Sequence, residues 1–440
     1  MMLLHYVRLS FKSMGRNPIL SSLIVGAIAL GITVSTSFLA MYHTLAQDPL
    51  PGRSDRLHYV RMDSWDPARP YPANQGEDKT IPPQITYPDA LELMRSDIPV
   101  RKIASYPAQL FVYPDADRGR PFRARVRLTY NDFFPMFDVP FEHGGPWDDA
   151  ADAGPEAVAV IDQSTNEKVF GGGNSVGKTF RMQEREFKVI GVLAPWRPVL
   201  RMYDLTQNPM VEPEAVFIPF GLSAPMEIRT NGNSDGWKPN PDTTFAGFLK
   251  SEACWVQFWA ELEDDRQKQA FEDHLQAYVL EQKRLGRFGR PIDNRVTSMN
   301  DLIVEFGIVP DEVKALASIS VLFLAVCSLN LMGLLLGKFL SRAPEVGVRR
   351  ALGASRKTVF LQLIVECEMI GVIGGVIGVG LSAGVLVIFN RALGFGNPFG
   401  LDAFMLSAAA FLSLGAGLVA GLYPAWRVCT IPPASYLRLG

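Results

Sequence analysis

The sequence predicts an α-helical membrane protein with four transmembrane helices and a large α+β extracytoplasmic domain inserted between the first and the second. The first observation behind this is where the apolar residues stand. They make up 48% of 440 residues, an ordinary share, but they gather in four runs at 19–46, 315–337, 369–390 and 403–426. A helix needs about 20 apolar residues to cross a bilayer core, and each run supplies them. The second observation is the interval 48–313, which at about 265 residues exceeds the common size of one domain. The third is charge. That interval holds 41 of the 45 acidic residues and 30 of the 43 basic ones, whereas the rest of the chain has 13 basic residues and four acidic, so a net charge of −2 conceals two regions of opposite sign.

Orientation follows from the short flanks. Arg8, Lys12 and Arg16 precede the first run with no acid beside them, and the segment 338–357 carries six basic residues against Glu345 alone. Short segments rich in lysine and arginine stay in the cytoplasm. Residues 1–47 are therefore read as a cytoplasmic N-terminus and first span, and 48–310 as an extracytoplasmic α+β domain of two subdomains. Residues 311–440 are read as a membrane module, with the second span at about 315–337, a cytoplasmic loop at 338–358, the third span at about 361–390 and the fourth at about 403–426. A cytoplasmic tail follows, so the chain is expected to be multi-pass in an inner (cell) membrane with both termini inside. The first run is too long for a signal peptide and no small-x-small cleavage site follows it cleanly, so it is expected to stay as an anchor.

Only one of the four cysteines, Cys254, lies in the inserted interval, so that domain depends on a packed core rather than on an internal disulfide. Residues 57–62 read as a strand, and 123–129 alternate as a half-exposed strand does. In 131–141, NDFFPMFDVPF sets four phenylalanines among two prolines and reads as a local core plug, with an apolar ligand groove as the alternative. A β-α-β-β pattern comes next: a strand at 157–161, a short helix at 163–170, and a hairpin of 178–182 with 187–193 turning at 184–186. Within it, 172–179 (GGNSVGKT) has the spacing of a phosphate loop. Such a loop must leave a strand and open a helix. Here a helix precedes and a strand pair follows, so Lys178 is read as a surface lysine at a strand start. A strand at 254–262 and a helix at 266–285 close the domain, with Phe271, Leu275, Tyr278 and Val279 at helical spacing. His143 and His274 stand apart from other metal-ligating residues, and no nucleophile elbow occurs. The chain is expected to be non-catalytic, without a cofactor or metal of its own, and to bind no nucleic acid.

The last third of the chain is rich in glycine. Gly371 and Gly375, Gly374 and Gly378, Gly380 and Gly384, and Gly417 and Gly421 are each four apart, a spacing that lets helix backbones approach closely. Packing within one chain and a dimer interface both satisfy it. Glu366 and Glu368 fall just inside the cytoplasmic interface and read as snorkelling or paired with a loop arginine. In the loop, Val348, Ala351, Leu352, Ser355 and Val359 follow the spacing of one helix face, with Arg349, Arg350, Arg356 and Lys357 pointing elsewhere. Gly347 and Gly353 weaken a helix and suggest a bend or a close backbone contact. Together with Glu345 and Ala354 these residues read as a docking surface, with an interfacial helix resting on anionic headgroups as the alternative.

These residues carry a resemblance. EVGVRRALGASRKTVFLQLIVE followed by GVIGGVIGVG resembles the C-terminal permease module of the FtsX/MacB/LolC family of ABC transporter subunits. That pattern is an acid, a glycine, two basic residues, Ala-Leu-Gly-Ala-Ser, and then a glutamate, met by Glu366, shortly before a glycine pair, met by Gly374 and Gly375. YPAWRVCTIPPASYLR is similar to the family's exit from its last helix, and FFPMFDVPFEHGGPW, VAVIDQSTNEKVFGGGNSVGKTFRMQEREFKVIGVLAP and EAVFIPF are similar to its periplasmic core domain.

The resemblance implies a permease subunit that relays the ATP-driven motion of a separate ABC ATPase across the membrane, for export or extraction of a peptide, lipoprotein or other amphiphile. It also allows a non-transporting relay that activates a periplasmic partner such as a cell-wall hydrolase. ATP and Mg would belong to the partner ATPase, since 17 residues precede Pro18 and no LSGGQ-like signature occurs. Further partners implied are a second copy of the chain or a homologous permease, and a periplasmic adaptor or substrate protein. A stalk would include 297–313, with Pro310 breaking or starting a helix.

Overall fold

The computed structural model describes residues 2–71, 81–114, 119–393 and 399–430. They form two compact units, one of Asp48–Ile308 and one of Met1–Gln47 with Val309–Gly440.

In the inserted unit eleven strands are linked into one sheet: β1 (Leu57–Met62), β2 (Ile85–Thr86), β3 (Arg101–Tyr113), β4 (Phe122–Thr129), β5 (Phe141–Gly144), β6 (Val158–Ile161), β7 (Thr179–Met182), β8 (Arg185–Leu193), β9 (Val216–Pro219), β10 (Cys254–Glu261) and β11 (Asn294–Ser298). They run in the order β11-β1-β10-β3-β4-β9-β6-β8-β5, with β2 on β10 and β7 against β3 and β8. The long strand β3 joins the two halves. Its residues 101–105 pair with β10 and its residues 106–112 with β4. Pairing is antiparallel except for β4 with β9 and β6 with β8.

The β6–β8 crossover shows how local sequence sets this path. Asp162 caps the helix Gln163–Phe170 by accepting from the Thr165 amide at 2.7 Å, and Gly171 ends it in the left-handed region. Gly172, Gly173 and Gly177 also have positive φ, which only glycine adopts at little cost. The GGNSVGKT run therefore leaves a helix and enters β7, so no helix N-terminus converges on it. The Lys178 ammonium lies 5.5 Å from the centre of the Phe170 ring. Met182 pairs with Arg185, so the hairpin turns at Gln183 and Glu184, earlier than the spacing suggested. Gln183 takes the positive φ of 55° that a tight two-residue turn demands.

The phenylalanine-rich segment forms the expected plug. Phe133, Phe134 and Phe137 are fully buried, with ring centroids 5.0 Å from Tyr203, 5.6 Å from Phe217 and 5.6 Å from Trp259 respectively.

The half-exposed character expected of 123–129 fails at Arg127, which is completely buried. Its guanidinium meets Asp204 at 2.6 Å and Glu214 at 2.9 Å, donates to Gln257 Oε1 at 2.8 Å and lies over the Tyr203 ring. Glu214 also holds Arg201 at 3.0 Å and accepts from the Tyr203 hydroxyl at 2.7 Å. Burial alone would raise the Glu214 carboxyl, but Arg127, Arg201 and the hydrogen bonds outweigh it and bring it down to about 2. These pairs fasten the segment between β8 and β9 to the sheet.

Among the described residues the helical unit contains four helices long and apolar enough to cross a membrane: Pro18–Ala46, Asp311–Leu340, Arg356–Leu393 and Ala403–Thr430, hereafter the first to fourth spans. Pro18 and Pro310 stand at or just before the starts of the first and second, where a missing amide hydrogen costs nothing. The first and fourth spans each pack against the second and third. An N-terminal helix, Met2–Arg16, and a short helix, Ala343–Ala351, complete the unit. All four cysteines are free. The end of the tail motif, 431–440, lies outside the described residues.

Replacing Arg127 by alanine strands buried carboxylates without their partner and is expected to cost about 3–5 kcal/mol, read from the urea midpoint of the inserted unit's unfolding. Because Glu214 is depressed in the fold, its stabilisation is complete above its unfolded value of 4.5 and drains away as pH falls toward about 2. Acid titration of the wild type should show that fall, and Arg127→Ala should blunt it.

Candidate functional site

The segment between the second and third spans is helical where its sequence allows. Glu345 stands in the first turn of Ala343–Ala351 and Arg349 and Arg350 in the last, the charge order that suits a helix dipole. Gly353, at φ +102°, then ends the helix. Ser355 starts the next one by accepting from the Thr358 amide at 3.2 Å, so Arg356 belongs to the first turn of the third span.

This interrupts the single face expected from Val348 to Val359. Val348 and Leu352 are 49% and 84% exposed, and Ala351 and Ser355 are exposed beside them, but Val359 is buried within the third span. The reason is Gly353. Its left-handed turn resets the helical phase before Val359 is reached. Gly347 faces inward, and Ala354 is half-buried.

Beneath the exposed face the short helix is held by charge. Glu345 pairs with Arg16 of the N-terminal helix at 3.1 Å and with Arg349 at 2.8 Å, while Arg349 donates to Gln362 of the third span at 3.2 Å. Arg350 donates to the Cys429 carbonyl of the fourth span at 3.1 Å. Deeper in, Glu366 is only 3% exposed and pairs with Lys338 at 2.8 Å and Arg342 at 3.5 Å. It also accepts a close hydrogen bond from the Ser13 hydroxyl. Arg342 donates to the Ser13 carbonyl at 3.0 Å, and Lys338 to the Ser21 hydroxyl at 3.4 Å.

Pairing of Glu366 with a loop arginine was legible in the sequence. The contributions of Lys338, Ser13 and Arg16 were not singled out. Lys338 carried a signal all the same, as a charge at the end of a spanning helix, where an ionisable residue requires a partner.

The glycines divide into two working sets. A Cβ at Gly374 or Gly378 would meet the first span, at 2.8 Å from Ile28 and 2.8 Å from the Ala29 carbonyl. At Gly371 or Gly375 it would meet Ser413 of the fourth span, and Gly417 and Gly421 close on Cys367 from the other side. Gly380 and Gly384 have nothing within 4 Å. Hydroxyls reinforce the same seams: Ser413 donates to the Gly371 carbonyl at 2.7 Å and Thr33 to the Gly378 carbonyl at 3.2 Å.

Four apolar spans, an α+β unit inserted after the first, and a charged short helix between the second and third define a multi-pass membrane protein of permease type. The MacB-like periplasmic core domain family matches residues 21–278, and the FtsX-like permease C-terminal family matches residues 317–433. The chain therefore belongs to the FtsX/MacB-like family of ABC transporter permeases. It is 27% identical over 284 residues to the macrolide export ATP-binding/permease protein MacB of Neisseria meningitidis, a match covering 64% of this chain and 38% of that protein. It is 22% identical over 448 residues to the uncharacterized ABC transporter permease YvrN of Bacillus subtilis, covering 99% of this chain and 100% of that one. The chain thus spans well under half the length of the MacB relative. The crystal structure of the periplasmic region of MacB from Actinobacillus actinomycetemcomitans matches at 14% identity and a TM-score of 0.36, over 58% of this chain and 96% of that one.

A side chain at Gly378 would collide with backbone of the first span, so Gly378→Val should destabilise the helical unit by about 1–3 kcal/mol. Gly380→Val, where a Cβ meets open space, should leave it near wild type. Thermal unfolding of both variants in detergent distinguishes them.

Proposed function

We propose that the chain is the permease subunit of a MacB-like ABC transporter. The short helix Ala343–Ala351 receives the ATP-driven motion of a separate ATPase subunit and relays it across the inner membrane to the inserted domain. The transported cargo is a peptide, lipoprotein or other amphiphile that is exported or extracted. ATP and Mg are held by the ATPase, and a second copy or a homologous permease completes the assembly. The base carrying the short helix faces the cytoplasm, as do both termini, in keeping with its surplus of arginine and lysine.

One observation carries this reading. Val348 and Leu352 are apolar and exposed on a helix whose other contacts reach the N-terminal helix and the third and fourth spans. An exposed apolar patch on a charged loop suits a protein partner better than water. A helix anchored to three other helices transmits a push rather than absorbing it.

Orientation is checked by labelling intact cells that carry a single cysteine. An impermeant thiol reagent should reach a cysteine at Asp97 and fail to reach one at Lys357, and the reverse pattern would invert the reading. For docking, Leu352→Asp puts an unpaired carboxylate into the partner's apolar groove, a loss of several kcal/mol. The expected result is loss of ATPase copurification, or of coupling between ATP turnover and transport, with membrane insertion intact. Wild-type ATPase binding and transport in that variant would refute the docking role.

A further inference from the structure

The N-terminal helix Met2–Arg16 is built the wrong way round for contact with water alone. On the side packed against the helical unit it buries Ser10 and Ser13, at 2% and 8% exposure, while Phe11 stands 55% exposed. Arg8, Lys12 and Arg16 recur every fourth residue and so form one stripe, and the helix contains no acid. An exposed aromatic beside a cationic stripe is the pattern of a helix lying in a membrane interface.

Between this helix, the short helix and the third span lies a cavity of about 160 Å³. Lys12, Arg16, Arg342 and Arg349 line it, against the carboxylates of Glu345 and Glu366. Each carboxylate is already shared between two cations, Glu345 by Arg16 and Arg349, and Glu366 by Lys338 and Arg342. Positive charge is therefore in surplus around the cavity, and Lys12, exposed at its rim, forms no ion pair or hydrogen bond with the described residues. A surplus of this kind calls for an anion, and the cavity is far larger than the ~10–15 Å³ that one water needs. Ser21 and Ser13, which meet Lys338 and Glu366, belong to the first turn of the first span and to the N-terminal helix, so the cavity lies at the end of the helical unit where the first span starts and the second ends.

We propose that this cavity binds the phosphodiester headgroup of an anionic glycerophospholipid, with Lys12 as its uncommitted cation and Phe11 beside the acyl chains. Bound there, the lipid ties the N-terminal helix to the short helix through Arg16 and Arg349, which already share Glu345. The site stands independently of which ATPase drives the protein.

The test is native mass spectrometry of the full chain in a non-ionic detergent, with phosphatidylglycerol and phosphatidylcholine of identical acyl chains supplied in equal amounts. Wild type should retain phosphatidylglycerol in preference, and Lys12→Gln should lower that preference about fivefold, the effect of one interfacial cation. Lys12→Arg should restore it. Arg391→Gln, which removes a cation at the opposite end of the third span, should leave it unchanged. Lys12 is exposed and unpaired, so these variants should fold, and thermal unfolding confirms that they do. Equal retention of the two lipids by wild type, or equal behaviour of Lys12→Gln and Arg391→Gln, overturns the proposal. Displacement of the bound lipid by millimolar inorganic phosphate also overturns it, by assigning the cavity to a soluble anion.

Discussion

Glu366 lies ten residues into the third span, where burying a carboxylate is costly unless it is paired and hydrogen-bonded. Its partners come from three directions: Lys338 from the end of the second span, Arg342 from just before the short helix, and Ser13 from the N-terminal helix. A buried ion pair contributes little net stability, because desolvation consumes most of the Coulomb gain. Its effect is on specificity. The arrangement seen satisfies both cations and the carboxylate at once, which ties the approach to the short helix to the place where Glu366 is buried. Apolar contacts alone would tolerate small slips of one helix along another.

The glycine seams make that burial possible. Gly374 and Gly378 bring the third span against the first, and Gly371, Gly375, Gly417 and Gly421 bring it against the fourth, with backbones close enough for Ser413 and Thr33 to bond carbonyls of the neighbouring helix. In a lipid environment helices gain little from hiding apolar surface, so close packing and hydroxyl bonds carry association. The third span therefore has two faces committed within the chain. Outside those seams Val376, Leu381 and Ile388 stay exposed, left for lipid or another subunit. The glycine spacing alone left open whether these positions pack within the chain or between chains; six of the eight pack within it, while Gly380 and Gly384 meet nothing within 4 Å.

How much could be read from sequence depended on whether a feature was local. The four spans, the phenylalanine plug and the β-α-β-β element were legible because apolar length, aromatic clustering and turn chemistry act over short stretches. The GGNSVGKT run was legible by its neighbours, since a helix before it and a strand after it forbid a phosphate cradle. Arg127 was not legible, because an arginine on an alternating strand looks like any surface cation until Asp204 and Glu214, more than seventy residues away, are brought to it. The N-terminal helix was hidden for a similar reason. Its buried serines and exposed phenylalanine make sense only once the helices beside it are in place. At the candidate site, the exposed pair Val348 and Leu352 and the acid Glu366 were found by spacing, whereas the break at Gly353 depended on a backbone conformation that spacing cannot report.

That break bears on how the site works. A continuous helix from Val348 to Val359 would have joined the exposed patch rigidly to the third span, and turned every tilt of the span into motion of the patch. Gly353 uncouples the two helical phases, and Ser355 then starts the span afresh. The short helix is attached instead through side chains, by Arg349 to Gln362, Arg350 to the fourth span and Glu345 to the N-terminal helix. These partly exposed pairs are each worth about 1 kcal/mol or less, so no single one fixes the helix, but together they spread a load over several elements. A force applied at Leu352 is thereby divided among the third span, the fourth span and the N-terminal helix. Glu366 beneath them pairs with Lys338 and Arg342, so the end of the second span and the approach to the short helix are both tied to the third span.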